Sequence, residues 1–161
     1  MTCARLLALC AAVLLPMAAM AESIEGEVNF TGKAPTPGKL HREADPYCAK
    51  KPMTDPAVLV KGGKLENVWV HVTKGAKDEG MMKWKCDVHP WMRGYIGISK
   101  NGLQAISSDS GSFKIDNVPP GKYTVEAWHE KYGTKTQEVT VEAGKPAKVI
   151  FKYDGTEKGG A

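Results

Sequence analysis

The sequence predicts an all-β protein, an antiparallel Greek-key β-sandwich of about 7–9 short strands. Three observations carry that expectation. Apolar and polar residues alternate with a period of two in several segments. Short clusters of Gly, Pro, Asn, Asp and Ser punctuate those segments. Beyond its apolar start, the chain nowhere repeats apolar residues at helical spacing.

In chain order, Ile24, Gly26, Val28 and Phe30 alternate with Glu25, Glu27 and Asn29, the pattern of a half-buried strand. Thr31 to Lys39 is rich in Pro and Gly and ends it, and His41 to Pro56 is polar and irregular. Val68, Val70 and Val72 alternate with Trp69 and His71 and predict a second strand, followed by a polar connector from Thr73 to Gly80. Tyr95, Ile96 and Ile98 predict a strand, Asn101-Gly102 a hairpin turn, and Leu103 to Ser107 the returning strand. Asp109-Ser110-Gly111 turns the chain, Phe113 and Ile115 point inward, and Pro119-Pro120-Gly121 sets the next reversal. Tyr123, Val125 and Ala127 form a strand, as do Val139 with Val141 and Val149 with Phe151 and Tyr153, the last two separated by Ala143-Gly144-Lys145-Pro146. Residues 22–153 thus read as one sandwich domain, and the Gly-rich segment 154–161 as a flexible tail.

Residues 1–21 read as a secretory signal: Arg5 is its positive start, Leu6 to Ala19 its apolar stretch and Ala19-Met20-Ala21 its cleavage site. A secreted or periplasmic location follows as an expectation. The stretch is short for a membrane anchor, and no later apolar run is long enough to span a bilayer. Loss of Arg5 lowers the formal net charge of +4 by one. Basic residues are scattered among acidic ones without interleaved aromatics, which argues against a nucleic-acid partner. No G-x-S-x-G, phosphate-binding or dinucleotide motif is present, and His129-Glu130-Lys131-Tyr132-Gly133 lacks the second histidine of a zinc-protease helix. The expectation is a protein that is not an enzyme.

The densest chemistry lies in Lys85-Cys86-Asp87-Val88-His89-Pro90-Trp91-Met92, where Cys86, His89 and Met92 form a C-x2-H-x2-M run. Thiolate, imidazole and thioether are the donors that a copper electron-transfer site combines; zinc suits Cys and His but not Met. A trigonal copper site needs a second imidazole, which must come from His41, His71 or His129. His71 is the nearest in sequence; it also reads as a half-exposed strand histidine beside Trp69. His129 reads as a surface histidine beside Glu130, and His41 as a solvated loop residue. Removal of the signal leaves Cys48 and Cys86 as the remaining cysteines. A Cys48–Cys86 disulfide would close a long loop, with about 4 kcal/mol of stabilisation in the chain-entropy model, but a bridged Cys86 cannot serve as a thiolate ligand. Trp69, Trp84, Trp91 and Trp128 could form a sugar platform, although core packing suits most of them.

Two segments resemble known families. Lys85 to Met92 resembles the copper loop of secreted bacterial cupredoxin-like (plastocyanin/azurin-type) proteins. Asp109 to Tyr123, continued by Glu126-Ala127-Trp128-His129-Glu130, resembles the carboxypeptidase regulatory-like (transthyretin-type) β-sandwich, a carbohydrate-binding-like fold. Gly26 to Pro35 and Asp45-Pro46-Tyr47-Cys48-Ala49-Lys50-Lys51 fit secreted bacterial proteins that join both features. The chain departs from the cupredoxin pattern in lacking the segment that carries the upstream histidine, so the resemblance reaches only Cys86, His89 and Met92. It implies a copper-binding protein of electron transfer or copper carriage, with a redox partner protein or copper chaperone. The alternative is a non-catalytic carboxypeptidase regulatory-like module with a vestigial copper loop and a possible glycan ligand.

Overall fold

The computed structural model describes residues 21–73 and 80–159. The expected signal, residues 1–21, lies outside the described residues except for Ala21, and the expected connector lies outside them at positions 74–79. The described chain forms β1 (Glu22–Phe30), the single helical turn α1 (Pro46–Ala49), β2 (Val60–Lys61), β3 (Lys64–Leu65), β4 (Trp69–Thr73), β5 (Gly80–Lys85), β6 (Arg93–Ile98), β7 (Gln104–Ile106), β8 (Ser112–Val118), β9 (Gly121–His129), β10 (Gly133–Val141) and β11 (Ala147–Tyr153). The predicted β-sandwich is present.

One sheet runs β11-β1-β3-β2, with β8 also paired to β1; the facing sheet runs β10-β9-β4-β7; β5 and β6 form a separate two-stranded sheet. Ile24, Val28, Phe30, Ile115, Val149 and Phe151 of the first sheet pack against Val70, Val72, Val125 and Ala127 of the second. The alternation along β1, β8 and β11 is the direct cause, since side chains at every second position share a face. Tyr153 is fully buried, and its hydroxyl donates to the Ala127 and Gly133 carbonyls at 2.8 and 3.2 Å. This satisfies the polar end of a core side chain.

Several expectations are corrected. The strands are not all antiparallel: β1 pairs in parallel with β11, from Ile24↔Ala147 to Phe30↔Tyr153. Asn101-Gly102 turns the chain but closes no hairpin, because β6 pairs with β5 and β7 with β4. Gly102 takes φ +69°, the Asn101 side-chain Oδ1 accepts from Leu103 N–H at 2.8 Å, and the Asn101 side-chain Nδ2 donates to the Val72 carbonyl at 2.8 Å. The turn therefore passes the chain from the two-stranded sheet to the four-stranded one. The short β2–β3 hairpin, turned by Gly62 and Gly63 at φ +58° and +74°, was not expected although Gly-Gly suits a type I′ turn. His71 is buried, not half-exposed, because β4 is covered on both faces: Val70 and Val72, with Val68 just before the strand, enter the core while β6 covers Trp69. Beyond β11, Glu157 pairs with Lys135 at 2.7 Å and Gly159 N–H donates to the Lys131 carbonyl at 2.9 Å.

Candidate functional site

The β5–β6 hairpin organises both candidate sites. Its strands pair from Gly80↔Ile98 to Lys85↔Arg93, which makes Cys86–Met92 the connecting loop. Cys86 N–H donates to the Met92 carbonyl at 2.9 Å, and Met92 N–H donates to the His89 carbonyl at 2.8 Å. This tight path turns the N–H groups of His89 and Val88 toward the Cys86 sulfur. Those hydrogen bonds, His89's first, hold the thiol below its ordinary pKa. His89 Nδ1 lies 3.8 Å from Cys86 Sγ, and His89 Nε2 lies 3.3 Å from Asp45 Oδ2.

Asp45 comes from the irregular segment that the sequence leaves without elements. It caps α1, where its Oδ1 accepts from Tyr47 N–H at 2.8 Å and Cys48 N–H at 2.9 Å. Those bonds, Cys48's first, hold the carboxyl below its usual range. Cys48 and Cys86 are both free thiols and both half-buried. Met92 is exposed on the loop.

The other histidines have partners elsewhere. His71 is 2% exposed, its ring stacks on Trp69 at 3.8 Å, and its Nε2 lies 3.3 Å from Glu126 Oε1. Its Nδ1 is buried without a hydrogen-bond partner. His129 is 1% exposed, not at the surface; it stacks on Tyr132 at 4.8 Å, and its Nδ1 accepts from Lys131 N–H at 3.1 Å. Burial explains the difference from expectation, since the end of β9 turns inward over Tyr132 and Tyr153. It also pushes the His129 pKa down to about 4. His41 is exposed and pairs with Glu43 at 3.7 Å. Among the described residues, no three His, Cys, Asp or Glu side chains are grouped to hold a metal ion.

The second site is a cleft of about 290 Å³ where the hairpin meets the β4–β9 face of the four-stranded sheet. Trp69, Trp91, Trp128, Tyr95 and Met81 supply its apolar walls, and Arg93, Asp55, Glu130 and Asn67 its polar ones. Gly97 lets β6 approach Trp69: a Cβ at that position would lie 2.5 Å from the indole. Tyr95 and Trp128 meet at 4.9 Å, with their rings tilted by 59°.

Arg93 Nη2 lies 3.1 Å from each oxygen of Asp55, and Arg93 Nε lies 3.7 Å from Glu130. Burial opposes the charged form of Asp55, but the Ala57 N–H and the Arg93 guanidinium outweigh it and hold the carboxyl below its usual range. The same ion pair, helped by Glu130, raises Arg93 against burial. Burial, then a hydrogen bond to Glu130, raises the Tyr95 phenol. The result is a fixed row of charged and hydroxyl groups beside aromatic walls.

Three of the four tryptophans of the sequence platform line this cleft, while Trp84 lies on the opposite face of the hairpin. Asp55, Arg93, Tyr95 and Glu130 were missed as site residues. Asp55 and Arg93 lie 38 residues apart, and no local pattern announces their pairing.

No curated protein matches the chain. A solved structure from Pseudomonas aeruginosa, described as a candidate carbohydrate binding protein, aligns over 83% of this chain and 88% of its own, with 15% identity and a TM-score of 0.40. A likeness that slight carries no functional argument. Residues 98–153, which span β7 to β11, match the family described as the carboxypeptidase regulatory-like domain.

Proposed function

We propose that the protein is a non-catalytic, carboxypeptidase regulatory-like binding module whose aromatic cleft takes a carbohydrate. The cleft itself carries the reading. Its volume of about 290 Å³ sits at the lower edge of small-ligand pockets, about 300 Å³. Planar indole walls suit the apolar C–H face of a pyranose ring, and Arg93, Asp55 and Glu130 suit its hydroxyl rim. The ion pairs already fix those polar groups, so binding orders few side chains. The match of residues 98–153 supports a scaffold of this type, and the reading needs no reacting group.

The test is a saccharide screen of the purified protein, followed by titration calorimetry on the best ligand. Trp91 lies on the connecting loop outside the hydrophobic core, so Trp91→Ala should weaken binding at least about tenfold, or about 1.4 kcal/mol, with little loss of stability. A wild-type protein that binds no saccharide across the screen ends this reading.

One observation favours a second function for the loop, carriage of a soft monovalent cation such as Cu(I). His89 stands between Cys86 and Asp45, with the carboxylate on one ring nitrogen and the sulfur near the other. Ligating histidines are commonly oriented by a carboxylate in this way. Cys86, His89 and Met92 fit a soft cation that accepts few donors. The two-imidazole electron-transfer site fits poorly, because His41, His71 and His129 are each engaged elsewhere. Bound copper would supply thiolate-stabilised Cu(I), and the chain's part is to present an acidified sulfur and an oriented imidazole. Competition with a chromogenic Cu(I) chelator should show one bound ion per chain without intense visible colour. Cys86→Ser should lower that affinity about a hundredfold, and unchanged affinity would remove the loop from consideration.

A further inference from the structure

One polar wall of the cleft, Glu130, belongs to the short turn that joins β9 to β10. Within that turn Lys131 N–H donates to His129 Nδ1 at 3.1 Å and Tyr132 N–H to the His129 carbonyl at 3.2 Å. The same turn meets the Gly-rich segment that follows β11. Gly159 N–H donates to the Lys131 carbonyl at 2.9 Å. A Cβ on Gly159 would lie 2.5 Å from that oxygen and 3.0 Å from the Glu130 carbonyl, so backbone rests directly on backbone. The segment also fastens itself. Asp154 and Gly155 N–H donate to the Glu157 carboxylate at 3.2 and 3.0 Å, Thr156 N–H donates to Asp154 Oδ1 at 2.8 Å, and Glu157 pairs with Lys135 of β10 at 2.7 Å. Gly155 sits against the Phe30 ring, which in turn meets the Tyr132 ring at 5.5 Å.

We propose that residues 154–159 form a strap that positions Glu130 in the cleft and thereby sets the cleft's affinity for its ligand. The affinity half rests on the saccharide reading of the cleft; the positioning half does not. The Glu130 side chain is 16% exposed, hydrogen-bonds the Tyr95 phenol and lies 3.7 Å from Arg93 Nε. Those partners sit on β6, across the cleft from the turn that carries Glu130. Their spacing therefore depends on where the turn is held. A turn free to move would add the cost of ordering Glu130 to every binding event, and the strap removes that cost beforehand. Gly159 and Glu157 act through Glu130 and are positioning residues, since neither lines the cleft.

The experiment uses the full chain and two variants of the strap. Gly159→Val drives a side chain into the Lys131 carbonyl, and Glu157→Ala releases the Asp154 and Gly155 amides together with Lys135. Amide hydrogen exchange, read residue by residue by NMR, should be at least about tenfold faster at Lys131 and Tyr132 in both variants, with the amides of β4 and β8 unchanged. Affinity for the best saccharide should fall about five- to tenfold. That loss should vanish in a Glu130→Ala background and persist in a Trp91→Ala background, a split that general loosening of the fold would not produce. If Gly159→Val lowers the global unfolding midpoint, Glu157→Ala decides. Unchanged exchange at Lys131 and Tyr132 overturns the proposal, as does faster exchange with unchanged affinity or a loss that survives Glu130→Ala. A wild type that binds no saccharide ends the cleft reading and the affinity half with it, while the exchange rates still decide whether the strap holds the turn.

Discussion

Gly26→Ala should destabilise the protein by about 3 kcal/mol, a larger effect than any ordinary surface change. Gly26 occupies the middle of β1, between Ile24 and Val28 on the core face, and pairs with both Val149 and Phe113. A Cβ there would meet the Val149 carbonyl oxygen at 2.0 Å and the Phe113 ring at 2.6 Å. The ring could rotate, but the carbonyl belongs to the backbone of β11. Relief therefore requires β1 and β11, a parallel pair, to separate. Urea unfolding should give a lower midpoint at unchanged slope, and thermal unfolding a drop of about 10 °C. Gly38→Ala is the control, since nothing lies within 4 Å of a Cβ at that position and its effect should be near zero. A loss below about 1 kcal/mol for Gly26→Ala would mean that the two strands are less tightly joined than described.

Mild acid should weaken the fold through His129. Its folded-state pKa is about 4 against an ordinary 6.5, because burial beside Tyr132 and Tyr153 penalises the imidazolium and Lys131 repels it. The unfolded chain therefore takes up the proton first. The stabilisation is complete above pH 6.5 and drains as pH falls toward 4, by about 2 kcal/mol at pH 5 and about 3 kcal/mol at pH 4. Asp45, Asp55, Asp154 and Glu157, all held below the ordinary carboxylate range, add their loss only at the acid end of that window and below it. Urea midpoints measured from pH 7 to pH 4.5 should fall steadily in the wild type. His129→Gln keeps an acceptor for Lys131 N–H and should flatten the slope, whatever it costs at neutral pH. An equal slope in both proteins would place the acid sensitivity elsewhere.

Much of the sandwich was legible because alternation is a local consequence of strand geometry. Ile24 to Phe30, Phe113 to Ile115 and Val149 to Tyr153 announce their inward faces with no knowledge of partners. Strand β5 was not legible, since Met81, Met82, Lys83 and Trp84 show no alternation: one face of the hairpin meets tryptophans and the other carries apolar residues outward. His129 was misplaced because its burial depends on Tyr153, brought from the last strand, and on Tyr132, which the β9–β10 turn folds back over it. The Cys86–His89–Met92 run was visible as a motif. The Asp45 carboxylate that holds His89 was not, because the two lie on opposite sides of β4 in the sequence and meet only through folding.

By itself the chain determined the strand-forming segments, their inward residues and the presence of soft donors on one loop, all of which follow from short-range spacing. Tertiary structure alone decided which strands pair, where the tryptophans converge and which histidine faces which carboxylate. Those outcomes depend on contacts between residues far apart in sequence, where side-chain type constrains burial but leaves the choice of neighbour to packing.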